Sequence, residues 1–181
     1  MSNFRPLKAE EIEVRIGTCN EKGVSLLLYK DARVDRAILD ETLGTMHWQC
    51  RFYECKGNLF CSVGIRQNAA NDSLSDRWIW KDDCGAPSNM EAEKGEASDA
   101  FKRACFKWGI GIELYTAPFI WVNAQNCNIK QGRNGKPQCY DRFFVEKIET
   151  EKGKIKSISI KNQNTGKRVF LYVDGVQKPC S

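Results

Sequence analysis

The chain has 181 residues, a formal net charge of +5, 41% hydrophobic and 28% charged residues, nine cysteines and a single histidine. That length is enough for one domain with a buried core, and no apolar run approaches the roughly 18 residues of a membrane-spanning helix. The start, Met1-Ser2-Asn3-Phe4-Arg5-Pro6, has neither the basic nor the apolar segment of a secretory leader, so a soluble, cytoplasmic protein with reduced cysteines is expected.

Residues 7–15, with Glu10, Glu11 and Glu13, are predicted as a short charged helix. Gly23 opens Val24-Ser25-Leu26-Leu27-Leu28-Tyr29, an apolar run short enough for a strand buried on both faces. Asp31 is placed to cap a helix over about 32–43, with Val34, Ala37 and Ile38 on one face and Gly44 as its stop.

Three strands follow. Met46, Trp48, Cys50 and Phe52 alternate with His47, Gln49, Arg51 and Tyr53. Beyond the turn Lys56-Gly57-Asn58, Leu59, Cys61, Val63 and Ile65 alternate with Phe60, Ser62, Gly64 and Arg66. A polar loop from Gln67 to Ser75 then leads to Arg77-Trp78-Ile79-Trp80-Lys81. With the Trp and aliphatic sets taken as inward, Arg51, Arg66, Arg77 and Lys81 line one basic outward face, with Gln49 and Tyr53 among them. A one-residue slip of the third strand would reverse its share of that face.

Ser88 and Glu91 have the spacing of a capping box. The helix they open has an apolar stripe of Ala97, Phe101, Ala104, Cys105 and Trp108, and Gly109 ends it. Lys94, Ser98, Asp99, Lys102, Arg103 and Lys107 occupy its other side. Gly95 inside a helix costs about 1 kcal/mol relative to Ala, which points to a close approach there, a second subunit being one candidate. Beyond it the pattern predicts a strand near 119–122 and a hinge-like loop at 123–138. Further strands are expected near 140–149, 154–161 and 168–173. Charge is uneven along the chain: residues 1–123 hold 16 basic and 18 acidic side chains, residues 124–181 hold 12 and 5.

The motifs narrow the chemistry. No phosphate-binding P-loop is present, and Gly109-Ile110-Gly111 follows a helix where a dinucleotide site needs it to precede one. No cysteine pair has zinc-knuckle spacing and His47 has no ligand-like neighbour, so no metal, cofactor or catalytic residue is assigned. One enzyme-like pattern stands apart, Glu54-Cys55-Lys56 with Asp40 and Glu41 upstream, the residue types with which metal-dependent nucleases hold Mg²⁺. A nuclease using Glu54 and Lys56 is therefore one alternative. A single-strand-binding module that coats DNA without annealing it is another.

The segment Glu91-Ala92-Glu93-Lys94-Gly95-Glu96-Ala97-Ser98-Asp99-Ala100-Phe101-Lys102-Arg103-Ala104-Cys105-Phe106-Lys107-Trp108-Gly109 resembles the signature helix of the Rad-fifty-two-type single-strand annealing proteins. In that family an acidic-x-x-Lys-Arg-Ala helix, here Asp99 to Ala104, is followed by an aromatic residue and Gly, here Trp108-Gly109. The stretch from Ala32-Arg33-Val34 through Leu43-Gly44 to Trp48 is similar to the family's entry into its sheet, and the resemblance spans roughly residues 23–115.

It implies an α+β fold with a β-β-β-α core, an antiparallel sheet packed on a long helix, and additional C-terminal strands. Residues 1–123 would form the annealing core and 124–181 a basic β-rich extension packed on the same domain. The core would assemble into rings that hold single-stranded DNA in a basic groove, bases exposed, without ATP. Lys102 and Arg103 fall on the family's backbone-contacting positions. A further family Arg is replaced by Phe106, with Lys107 beside it, and Ser25 falls near a missing basic strand residue.

The expected DNA-binding set is thus Lys102, Arg103, Lys107, Arg51, Arg66, Arg77, Lys81 and Lys94. The expected partners are single-stranded DNA, further copies of the chain, and a host or phage single-strand-binding protein, since the compact size fits a bacteriophage member. Annealing leaves bases free, so Trp48, Trp78, Trp80 and Trp108 are read as core and subunit-contact residues.

Overall fold

The computed structural model describes residues 4–67, 77–86, 92–133 and 135–180, with the side chains of residues 92–94 outside that description. In chain order the elements are β1 (Ile12–Asn20), β2 (Gly23–Lys30), α1 (Ala32–Leu43), β3 (Trp48–Cys55), β4 (Asn58–Gln67), β5 (Arg77–Cys84), α2 (Ala92–Lys107), β6 (Ile120–Asn123), β7 (Ile129–Gln131), β8 (Pro137–Cys139), β9 (Phe143–Glu151), β10 (Lys154–Asn162), β11 (Arg168–Val173) and β12 (Val176–Gln177). The fold is α+β, with antiparallel sheets and, among the described residues, two α-helices. The expected Ser88–Glu91 capping box and most of the 67–75 loop lie outside the described residues.

Two compact units interleave in sequence. The first comprises Asp31–Gly111 with the residues up to Arg5; the second comprises Pro6–Lys30 and everything from Ile112 onward, which includes all of residues 124–181.

In the first unit, α1 begins where the Asp31 carboxylate accepts a hydrogen bond from the Arg33 N–H at 2.7 Å. That bond, the largest cause, holds the Asp31 carboxyl below its ordinary value. The helix stops at Gly44, whose φ of +81° is in the region that favours glycine and whose N–H reaches the Asp40 carbonyl. Ile38 and Leu39 are fully buried. The indole N–H of Trp48 donates to Asp40 at 2.7 Å, tying β3 to α1. Strands β3, β4 and β5 form a three-stranded antiparallel sheet with β4 in the middle. Ala100, Phe101, Ala104 and Cys105 form the buried stripe of α2, while Ala97 is only half-buried. A close approach to α2 is made at Gly85, after β5, where a Cβ would overlap the Glu96 carbonyl oxygen.

The second unit is a seven-stranded antiparallel sheet in the order β12-β11-β10-β9-β1-β2-β6, with the β7–β8 hairpin beside it. The helix expected over 7–15 is a single 3-10 turn at Ala9–Glu11 followed by β1. Alternation of Ile12, Val14 and Ile16 with Glu13 and Arg15 outweighs the helix-favouring glutamates. In β2, Val24 and Leu26 are buried, but Leu27 and Tyr29 are exposed, so only its first half has both faces covered. The expected loop at 123–138 instead folds into a 3-10 turn and the β7–β8 hairpin. On β9, the central strand, Glu146 accepts from Ser159 at 2.7 Å and pairs with Lys161 at 2.6 Å and Arg168 at 3.0 Å. Those three donors, Lys161 foremost, hold its carboxyl down at about 2.

Candidate nucleic-acid interface

The two faces of the β3-β4-β5 sheet follow from its register, because residues directly opposite each other on neighbouring strands point the same way. One face carries the rows Gln49–Gly64–Trp80, Arg51–Ser62–Asp82 and Tyr53–Phe60–Cys84, with Arg66 opposite Trp78. The other carries Trp48–Ile65–Ile79, Cys50–Val63–Lys81 and Phe52–Cys61–Asp83, with Gln67 opposite Arg77.

The second face meets α2. Trp48 and Phe101 have ring centroids 6.1 Å apart, and the Lys81 ammonium lies 4.3 Å from the Trp108 ring centre. Lys81 also donates to the Lys107 carbonyl at 2.6 Å. The Asp83 carboxylate stands 3.6 Å from Arg103 and 3.5 Å from Lys107, and the Lys107 ammonium donates to the Asp82 carbonyl. The Trp108 indole reaches the Val63 carbonyl at 3.0 Å.

The expected single basic face is therefore two. Arg51 and Arg66, with Gln49 and Tyr53, share the first face as expected, but Arg77 and Lys81 point to the side of α2. Trp78 and Trp80, expected inside, stand with Arg51 and Arg66 instead. The physical cause is non-local. Gly64 leaves room for Trp80 on the outer side, where a Cβ would come 2.8 Å from the indole ring, and α2 offers partners to Lys81 and Asp83 on the inner side. A glycine in the middle of a strand is the signal that would have revealed it.

On α2, Arg103 and Lys107 are exposed and share one carboxylate, Asp83, Lys102 is half-buried, and Lys81 reaches the end of the helix at the Lys107 carbonyl. Ion pairs this exposed contribute little to stability and leave the cations open to exchange onto another anion. The side chain of Lys94 lies outside the described residues. Across the sheet, the Arg51 guanidinium sits 4.2 Å from the Trp80 ring centre, and Tyr53 stacks on Phe60 at 5.5 Å.

Two acids of the nuclease alternative, Asp40 and Glu41, are engaged elsewhere. Asp40 accepts from Trp48, Glu41 pairs with Arg5 at 2.6 Å, and Lys56 forms the β3–β4 turn at φ +53°. Among the described residues no cluster of three or more His, Cys, Asp or Glu side chains is arranged to hold a metal ion. The thiol of Cys50, hydrogen-bonded to Cys61, is lowered to about 7, while that of Cys61 is raised by the same contact and by burial.

Residues 4–133 match the family model described as Rad52/22 family double-strand break repair protein. The chain belongs to the Rad52/22 family. No curated protein and no solved structure matches it. The Rad52/22 match extends the resemblance seen over residues 23–115 in both directions, taking in β1, β6 and β7, while β8 to β12 lie beyond it. Membership places the chain in DNA repair and recombination. Among the described residues no helix is long and apolar enough to cross a membrane.

Proposed function

We propose that this Rad52/22-family chain binds single-stranded DNA and anneals complementary strands without ATP, as a ring-like homo-oligomer and without catalysing a chemical step. The observation that carries the reading is the exposed cationic end of α2. Arg103 and Lys107, with Lys102 and Lys81 beside them, stand on the segment that resembles the family's signature helix. Lys81, Arg103 and Lys107 are held by an exposed ion pair and by backbone carbonyls, contacts that phosphates would replace. The contacts between α2 and β4–β5 support a β-β-β-α core; residues 124–181 are taken as a basic extension in the same reading. A bacteriophage origin, a cytoplasmic setting and a single-strand-binding partner protein belong to the same reading.

Complementary oligonucleotides mixed with the protein in EDTA and without ATP are expected to pair faster than without it, and Lys102→Ala with Arg103→Ala is expected to abolish the gain. No acceleration by the wild-type protein, or an unaffected double variant, sinks the proposal. The aromatic outer face of the sheet favours a second reading, a module that coats single strands and blocks pairing. It predicts slower pairing in the same assay.

A further inference from the structure

The face of the three-stranded sheet opposite α2 has no role in the signature-helix contact, yet it is costly to build. Trp78 and Trp80 stand two residues apart on β5, ring centroids 6.0 Å from each other and only half-buried. Tyr53, 40% exposed, extends the aromatic surface through its stack on Phe60. Soluble proteins rarely leave neighbouring large aromatic side chains on a sheet surface without a use for them. The sheet also gives up a side chain to hold one of them. Gly64 weakens the middle of β4 by the usual penalty of glycine in a strand, and in exchange it lets the Trp80 ring lie close to the backbone.

The charges of this face are selective. Arg51 is exposed with its guanidinium over Trp80, and Arg66 lies beside Trp78 across the strands. The one carboxylate on this face among the described strand residues, Asp82, accepts from the Ser62 hydroxyl and, at 3.4 Å, from the Tyr53 hydroxyl, so each of its oxygens has a partner within the sheet. What remains outward is flat aromatic surface edged by guanidinium groups. That combination matches a single strand, whose bases have π-faces of any sequence and whose phosphates are anionic.

We propose that this face is a nucleobase-stacking site for single-stranded DNA, in which Trp78 and Trp80 receive bases and Arg51 and Arg66 receive the flanking phosphates. The inference rests on the chain being a single-strand binder and adds a second contact to the phosphate contact at α2. With two indoles it holds about two bases per subunit.

The test compares a thymidine oligonucleotide with an abasic oligonucleotide of the same length, which keeps the phosphates and lacks the bases. Wild-type protein is expected to bind the thymidine strand at least about fivefold more tightly, the lower bound for one stacked base. Trp78→Leu with Trp80→Leu keeps apolar bulk but removes the π-surface. It is expected to bring thymidine affinity down to the abasic level while abasic affinity and oligomeric state stay unchanged. Trp78→Phe with Trp80→Phe, the gentler pair, is expected to keep part of the preference and guards against a folding defect. Equal binding of the two strands by the wild type, or a preference that survives the Leu pair, overturns the stacking site alone. A change of oligomeric state in the Leu pair also overturns it, because the face would then be a subunit contact. If the wild type binds neither strand, the single-strand reading itself has failed.

Discussion

Each unit of this protein sets one carboxylate between two cations, and the two arrangements differ in closeness. In the seven-stranded unit Glu146 holds Lys161 at 2.6 Å and Arg168 at 3.0 Å, with Ser159 as a third donor. In the three-stranded unit Asp83 stands 3.6 Å from Arg103 and 3.5 Å from Lys107. Distances near 2.6–3.0 Å are those of charge-assisted hydrogen bonds, whereas 3.5 Å is a looser Coulombic contact. The first arrangement fixes its side chains for the fold. The second keeps cations in place while leaving them exchangeable, as a phosphate-binding surface needs. Part of the basic surplus of residues 124–181 is thereby consumed internally, and the net charge of a segment says little about what it binds.

The comparison breaks most visibly at the cations themselves. Replacing Lys102, Arg103 and Lys107 together by Ala is expected to weaken single-strand binding by about 100-fold near physiological salt and to flatten the log–log salt dependence by about 2, as three lost single-strand phosphate contacts require. Lys161→Ala with Arg168→Ala should leave both quantities within about twofold. Equal losses in filter binding across a salt series would erase the distinction drawn between the units.

Glu146→Gln is expected to destabilise the protein by about 1–2 kcal/mol in urea titrations at pH 7, a value reduced for the partial exposure of its partners. The folded-state carboxyl sits near 2, below the ordinary 4.5, so its contribution is present above about pH 4.5 and is lost as pH falls from there toward 2. Wild type and variant should therefore converge in stability only as pH falls below about 2, and a gap that does not shrink between about pH 4.5 and 2 contradicts the assignment.

Smallest in size is Asp83→Asn. Freed from their shared anion, Arg103 and Lys107 should bind single strands about two- to fivefold more tightly at low salt, with a stability loss under about 1 kcal/mol. A loss of affinity would mean that Asp83 positions the cations.

The parts of this fold set by neighbouring residues were readable from sequence. Asp31 and Gly44 bound α1 as expected, and Phe101, Ala104 and Cys105 form the buried stripe of α2. What resisted was the sign of an alternation. Arg77-Trp78-Ile79-Trp80-Lys81 declares two faces by its period, but which one turns to the helix depends on Gly64 across the sheet and on Lys107 in α2. Burial preference pointed the tryptophans inward, and space pointed them outward. Likewise Glu10 and Glu11 suggested a helix until the partner strands of β1 claimed Ile12, Val14 and Ile16 for a sheet. Of the expected site, the α2 cations could be placed from the segment's own pattern. The Arg51–Trp80 pair could not, since its members are joined only through the register of three strands.

The interleaving of the units also orders events on the ribosome. Strands β1 and β2 emerge first and pair locally, yet their sheet partners β6 and β9 begin only at Ile120 and Phe143. The whole of Asp31–Gly111 is made in between and has its contacts in hand before then. A nascent β1–β2 hairpin thus waits with both edges open, the condition under which strands pair with the wrong chain. Pairing Leu26 with Ile120 closes a long excursion, and an already folded Asp31–Gly111 makes that closure cheaper than a disordered segment would.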